Sequence, residues 1–121
     1  MVKALLDSNI LIDDLLGIDD ARREIARYED AAISIVTWIE LLVGATPANI
    51  DAVRAYLESF AVVDVDRDVA EEAAALRRSH RMKLPDAIVW ASARRQGRLL
   101  VSRNTKDFPA GDPGVRHPYV V

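Results

Sequence analysis

The sequence predicts an α/β fold, a three-layer sandwich with a mostly parallel central sheet. Three observations lead there. Short apolar runs (VKALL at 2–6, AAISIV at 31–36, AVVDV at 61–65, RLLVS at 98–102) alternate with longer stretches of helical periodicity. Most of these runs are followed by a pair of helical segments, the crossover that parallel neighbours require. The 121 residues are 50% hydrophobic, enough to close one core, so a single domain spanning 1–121 is expected.

The elements follow in order. The run at 2–6 ends at Asp7-Ser8, where a strand meets a helix start. Asn9 to Leu16 reads as a helix with an apolar face, Asp13 and Asp14 on its outside and Gly17 closing it. Asp19-Asp20 opens a second helix, running to about Glu29. After the strand at 31–36, Thr37 is the expected start of a third helix, with Thr37-x-x-Glu40 fitting a capping box. Pro47 stands where a fourth would begin, continuing to about Phe60. Past the strand at 61–65, alanine-rich 67–82 reads as a long helix. Leu84-Pro85-Asp86 punctuates it, and DAIVWASARRQ forms another helix ended by Gly97. The strand at 98–102 precedes a loop over 104–108 and a last, weaker strand at 115–121. Open α/β sheets bind ligands beyond the carboxyl ends of their strands, where Asp7 and Ser102-Arg103-Asn104 fall.

The chain has no cysteine, which excludes disulfides and thiolate ligands. Any metal must be held by oxygen or imidazole, a preference that favours Mg²⁺ or Mn²⁺. Residues 1–6 lack a signal layout and no apolar run nears the roughly 18 residues of a bilayer span, so a cytoplasmic chain without membrane contact is expected. The net charge of −3 conceals a division: residues 1–76 carry 6 basic and 16 acidic side chains, whereas 77–106 carry 9 basic ones and a single acid, Asp86. That local excess fits a polyanion footprint, and equally the solvated ends of helices.

Three acids fall at element boundaries. Asp7 directly follows an apolar strand, where an unpaired carboxylate is costly, although an aspartate there also caps a helix. Glu40 is surrounded by Trp38, Ile39, Leu41, Leu42 and Val43; besides the capping box, Gly44 one turn on leaves space on its face. Asp86 begins a helix, where the dipole favours a negative charge, yet the turn after it is almost wholly apolar. Asn104 or Asp107 offers a fourth polar position. Carboxylates gathered at one sheet end repel one another, and a hard divalent cation relieves that repulsion.

The segments LLDSNILID (5–13), SIVTWIELLVGA (34–45), LPDAIVWASARRQG (84–97) and LLVSRNTKDF (99–108) together resemble the PIN-domain nucleases, and more closely the VapC-type ribonuclease toxins of type II toxin–antitoxin pairs. The resemblance implies a Mg²⁺- or Mn²⁺-dependent endoribonuclease with Asp7, Glu40 and Asp86 as its acids and metal ligands. Asn104 stands where many relatives carry a fourth acid, with Asp107 three residues later as the alternative carboxylate. Ser8 matches the small hydroxyl residue after the first acid and is expected to orient a ligand or the substrate phosphate. Attack by an activated water would leave a 5′-phosphate and a 3′-hydroxyl. By charge, Arg103, Lys106, Arg78 and Arg81 are expected to hold the flanking RNA backbone. The resemblance further implies a VapB-like antitoxin, docking an amphipathic helix in a groove between helices of about 20–60 and a basic side chain among the acids, together with homodimerisation.

His80 reads as a surface or RNA-contact residue, His117 as structural, and Trp38 and Trp90 as core. A phosphoacceptor domain using Asp7, Asp64, Asp66 and Lys106 fits poorly, because residues 67–96 hold two successive helices without a strand between them. An aspartyl phosphatase needs an acid at position 9, which is asparagine. A non-catalytic RNA-binding module remains a rival, as does a PIN-type nuclease without an antitoxin.

Overall fold

A computed structural model describes residues 2–121; Met1, part of the leader reading above, lies outside them. The strands are β1 (Lys3–Leu6), β2 (Asp30–Ser34), β3 (Ala61–Val63), β4 (Leu99–Val101) and β5 (Val115–Arg116). The helices are α1 (Ser8–Leu15), α2 (Asp19–Ala26), α3 (Ile35–Val43), α4 (Ile50–Glu58), α5 (Arg67–His80) and α6 (Leu84–Gln96). One sheet forms in the order β3-β2-β1-β4-β5, and every pairing is parallel.

Strand alternation sends side chains to two cores. Ala4, Leu6, Ile33 and Val101 pack with Ile10, Leu11, Leu41 and Leu57 from α1, α3 and α4. Leu5, Ala32 and Leu100 face the other way, onto Val69, Ala73, Leu76 and the α6 residues Ala87, Val89 and Trp90. Two helical layers therefore enclose the sheet, and both faces of the central strands are dry, as parallel sheets require. After β3 the chain crosses beneath the sheet through α5 and α6 and re-enters on the far side of β1. The crevice between β1 and β4 is thus a topological switch point, where ligand sites open.

Several boundaries differ from expectation. α3 begins at Ile35, not Thr37, because Ser34 ends β2 in extended conformation and its hydroxyl accepts the Val36 N–H at 3.1 Å. Thr37 lies inside the helix, fully buried, its hydroxyl without a partner, so there is no Thr37–Glu40 capping box. α4 begins at Ile50; Pro47 sits in the preceding turn, which Asn49 closes by accepting the Thr46 N–H at 2.7 Å. β5 stops at Arg116, two residues before Pro118, which has no N–H to donate. Gly97 ends α6 in the left-handed region that glycine adopts freely, as anticipated.

The largest inversion is on α1. Asp13 is buried and Asp14 half-buried, bonded to the Tyr56 hydroxyl at 2.6 Å, while Ile12, Leu15 and Leu16 are exposed. Trp90 is core, as expected, and Trp38 packs partly buried against the core above the sheet. Among the described residues no helix is long and apolar enough to cross a membrane.

Candidate active site

Asp7 follows the central strand and caps α1, its Oδ1 accepting the Ser8 N–H at 2.8 Å. The capping reading and a chemical role do not compete, because Oδ2 serves a second set of donors: Ser102 Oγ at 2.7 Å and Asn9 Nδ2 at 3.3 Å. Ser102 follows β4, the parallel neighbour of β1, and therefore arrives beside Asp7 by register: Leu6 pairs with Val101. Asn9 also reaches Ser102 Oγ at 3.2 Å and accepts the Arg103 N–H at 3.1 Å, tying the two strand ends together. Neither residue was singled out from the sequence as functional; the signal was a small hydroxyl residue closing an apolar strand that would lie next to the one carrying Asp7.

The other acids surround this anchor. Asp86 enters from the first turn of α6, Glu40 from an exposed position on α3, and Asp107 from the loop after β4. They lie within one another's field. Burial pushes the Asp7 carboxyl up, only partly offset by Ser102 and Ser8. Glu40 is raised by burial and then by the Asp7 charge, against the nearby Ser8 hydroxyl. Asp86 rises to about 6 through burial, then through Asp7, Asp107 and Glu40. Asn104 and Asp107 form a reciprocal pair: Asn104 Nδ2 donates to Asp107 Oδ2 at 3.0 Å and Asn104 Oδ1 accepts the Asp107 N–H at 3.1 Å. Asp107 is thus the carboxylate that faces Asp86, and Asn104 holds it there.

Among the described residues no three acid or histidine side chains converge as a finished ligand cage. The donor set nevertheless suits a hard divalent cation: all oxygen, no imidazole, and a concentration of negative charge for which no ion pair is formed.

The basic residues separate. Arg103 turns away from the acids to Asp13, donating from Nε at 2.5 Å and Nη2 at 3.1 Å. Arg78 and Arg81 are exposed at the end of α5, and Lys106 is exposed beside Asp107. His80 is exposed with its ring edge-on to Trp90. His117 is structural, its ring nitrogens meeting the Ser102 carbonyl at 2.7 Å and that of Phe108 at 3.0 Å.

Next to the acids an apolar groove of about 380 Å³ runs between α1, α3 and α4, lined by Ile12, Leu15, Leu16, Leu41 and Val53, with Glu40 and Gly44 in its wall. A Cβ at Gly44 would make only ordinary contacts. One wall is α1, outside the 20–60 range expected to build a groove. A wider cavity of about 560 Å³ between α2 and the C-terminal segment is remote from this chemistry, and its Arg23, Arg27 and Arg116 are all paired with acids.

Residues 4–111 match the family model described as PIN domain. The chain belongs to the PIN domain family. A solved structure described as a toxin-antitoxin complex from Klebsiella pneumoniae contains a chain 41% identical to this PIN domain, superposing with a TM-score of 0.92 over 98% of this chain and 100% of that one. FitAcB from Neisseria gonorrhoeae (22% identity, TM-score 0.78, 95% and 97% covered) and DNA-bound VapBC from Salmonella typhimurium (23%, 0.78, 96% and 96%) share the fold. No curated protein matches this PIN domain by sequence.

Proposed function

We propose that this single-domain protein is a Mg²⁺- or Mn²⁺-dependent endoribonuclease and the toxin of a toxin–antitoxin pair. The observation that carries the reading is the uncompensated acid centre, in which burial and then Asp7, Asp107 and Glu40 raise Asp86 to about 6. A structural carboxylate cluster of this kind would be relieved by a basic neighbour, as other buried acids in this protein are. Here the relief is left to a cation, held by Asp7, Glu40 and Asp86 and completed by Asp107. Such a cation supplies a water acidic enough to attack at neutral pH and offsets the charge of the scissile phosphate.

The residues of the chain do the rest. Ser102, Asn9 and the Ser8 N–H fix both oxygens of Asp7, so one ligand is preorganised before substrate arrives. The Asn104 pair orients Asp107, and Ser8 stands by Glu40. In-line displacement by water breaks the P–O3′ bond and leaves a 5′-phosphate and a 3′-hydroxyl.

The antitoxin part rests on the 41%-identical chain in a toxin-antitoxin complex and on the groove beside Glu40. Leu16 is 73% and Val43 80% exposed, apolar surface on the two helices flanking the groove that a partner helix would cover. We further propose that the protein is cytoplasmic and a homodimer, held inactive in a larger hetero-oligomer with a VapB-like antitoxin.

The deciding experiment maps RNA ends after purified protein meets total cellular RNA with Mg²⁺ or Mn²⁺, beside an EDTA control and an Asp7→Asn/Asp86→Asn variant. New 5′-phosphate ends that require both metal and the two aspartates are expected. RNA binding without such ends would instead favour a binding module.

A further inference from the structure

Nine basic side chains lie between residues 77 and 106, and folding divides them into two groups. Arg94 pairs with Glu72 at 2.8 Å, and Arg95 with Asp68 at 3.5 Å. Arg98 pairs with Asp30 at 2.7 Å and is almost wholly buried, and Arg103 pairs with Asp13. Among the described residues the remaining five, Arg77, Arg78, Arg81, Lys83 and Lys106, have no acidic partner, and all five are exposed.

The unpaired five are not scattered. α5 and α6 form a hairpin in which Asp68 meets Arg95 at one end and His80 meets Trp90 at the other. Trp90 is one helical turn from Asp86, so the end of α5 lies beside the turn that presents Asp86. Arg81 breaks α5 in the left-handed region at φ 54°, unusual for a residue with a Cβ. The chain turns sharply there, and Lys83 leads directly into α6. Lys106, on the other side, sits next to Asp107, whose charge reaches Asp86. Among the described residues the other unpaired lysine and arginine, Lys3 and Arg67, lie at the start of β1 and at the opposite end of the hairpin.

We propose that the α5–α6 turn, through Arg77, Arg78, Arg81 and Lys83, with Lys106 opposite, is the surface that grips the RNA backbone on either side of the acid centre. This rests on the ribonuclease reading and removes Arg103 from the substrate-contacting set, because the Nε–Nη2 edge of its guanidinium is held by Asp13, away from the acids. A strand crossing the acids meets cations before and after the scissile phosphate. The other four bases of the stretch are already neutralised by acids, which leaves these five free for a polyanion. Backbone contacts of this kind position without reading sequence.

The test is fluorescence anisotropy with an end-labelled single-stranded RNA in EDTA, where cleavage is absent, over a salt series. Arg78→Gln/Arg81→Gln/Lys83→Gln is compared with Arg94→Gln/Arg95→Gln, and circular dichroism verifies that both are folded. The turn variant should bind about tenfold or more weakly, with a slope of log K against log salt shallower by about 2, each phosphate contact on a single strand contributing about 0.7. The Arg94/Arg95 variant should bind as the parent does. Equal binding by the turn variant, or equal loss in both variants, overturns the proposal. Asp7→Asn separates this from the function itself: loss of metal-dependent cleavage with binding retained sustains both readings. An unaltered turn variant with cleavage intact sinks only the surface assignment.

Discussion

Asp7, Asp13 and Glu24 are equally hidden, at 4%, 3% and 5% exposure, but the protein treats them in opposite ways. Asp13 receives the Arg103 fork and the Tyr119 hydroxyl at 2.8 Å. Glu24 receives the Arg116 fork at 2.7 and 3.0 Å and the Tyr28 hydroxyl at 2.6 Å. One recipe, a tyrosine and an arginine about ninety positions away, serves both. Burial alone would raise Glu24, but Arg116 and Tyr28 outweigh it and hold the carboxyl below its usual range. Asp7 has only a hydroxyl, an amide and a backbone N–H, and burial wins. Buried acids that the chain neutralises hold its segments together, and the one it leaves without a basic partner is, on the proposed function, the one a cation would compensate.

The largest effect expected from this contrast is in Asp7→Asn/Asp86→Asn. Metal-dependent cleavage should fall by about a hundredfold to a thousandfold, the scale of losing a preorganised electrostatic group. Thermal stability should hold or rise, since like charges are removed. A matching loss of stability would mean that the acids are structural.

Glu24→Gln should do the reverse. It strands Arg116 in a partly buried site and should lower the unfolding free energy by about 2–4 kcal/mol, below the full buried-pair value because the arginine is about a third exposed. Urea denaturation measures it, with cleavage per folded molecule unchanged. The pH dependence has a definite sign. The folded carboxyl titrates below the ordinary value of 4.5, so its contribution is complete above that pH and is lost as pH falls through the folded value. The gap between parent and variant should therefore narrow on acidification.

Smaller losses, about tenfold to a hundredfold in activity, are expected for Ser102→Ala and Asn104→Ala, which release Asp7 and Asp107 without removing either carboxylate. Recovery at higher Mg²⁺ would place the defect in ligand positioning. The smallest effect is on melting. Mg²⁺ at about ten times its dissociation constant should stabilise the parent by about 1.4 kcal/mol and the double variant by none.

The contrast also explains what the sequence disclosed. Asp7, Glu40 and Asp86 stand at element boundaries marked by local patterns, and the order of strands and helices follows from apolar runs and punctuation. The α3 boundary did not, because Ser34 and Thr37 are both acceptable caps and only the end of β2 decides between them. The neutralising pairs join residues about ninety positions apart, Arg103 to Asp13 and Arg116 to Glu24, and no local pattern encodes them. For this reason Asp13 was expected in solvent, and charge alone could not divide the basic stretch at 77–106 into paired and free members. Asn104 and Asp107 looked like alternatives because a linear motif assigns one residue per role, whereas folding makes one the support of the other.

The bond from Ser102 to Asp7 spans 95 residues, and Asp107 lies later still. On the ribosome β1, β2, β3 and α1 to α4 are all made before β4, whose Val101 completes the core above the sheet. The crevice is shut only when β4 slides in beside β1. A nascent chain therefore carries Asp7, Glu40 and Asp86 before the segment that fixes their arrangement exists, and the acid centre assembles only after Ser102 and Asp107 have been made.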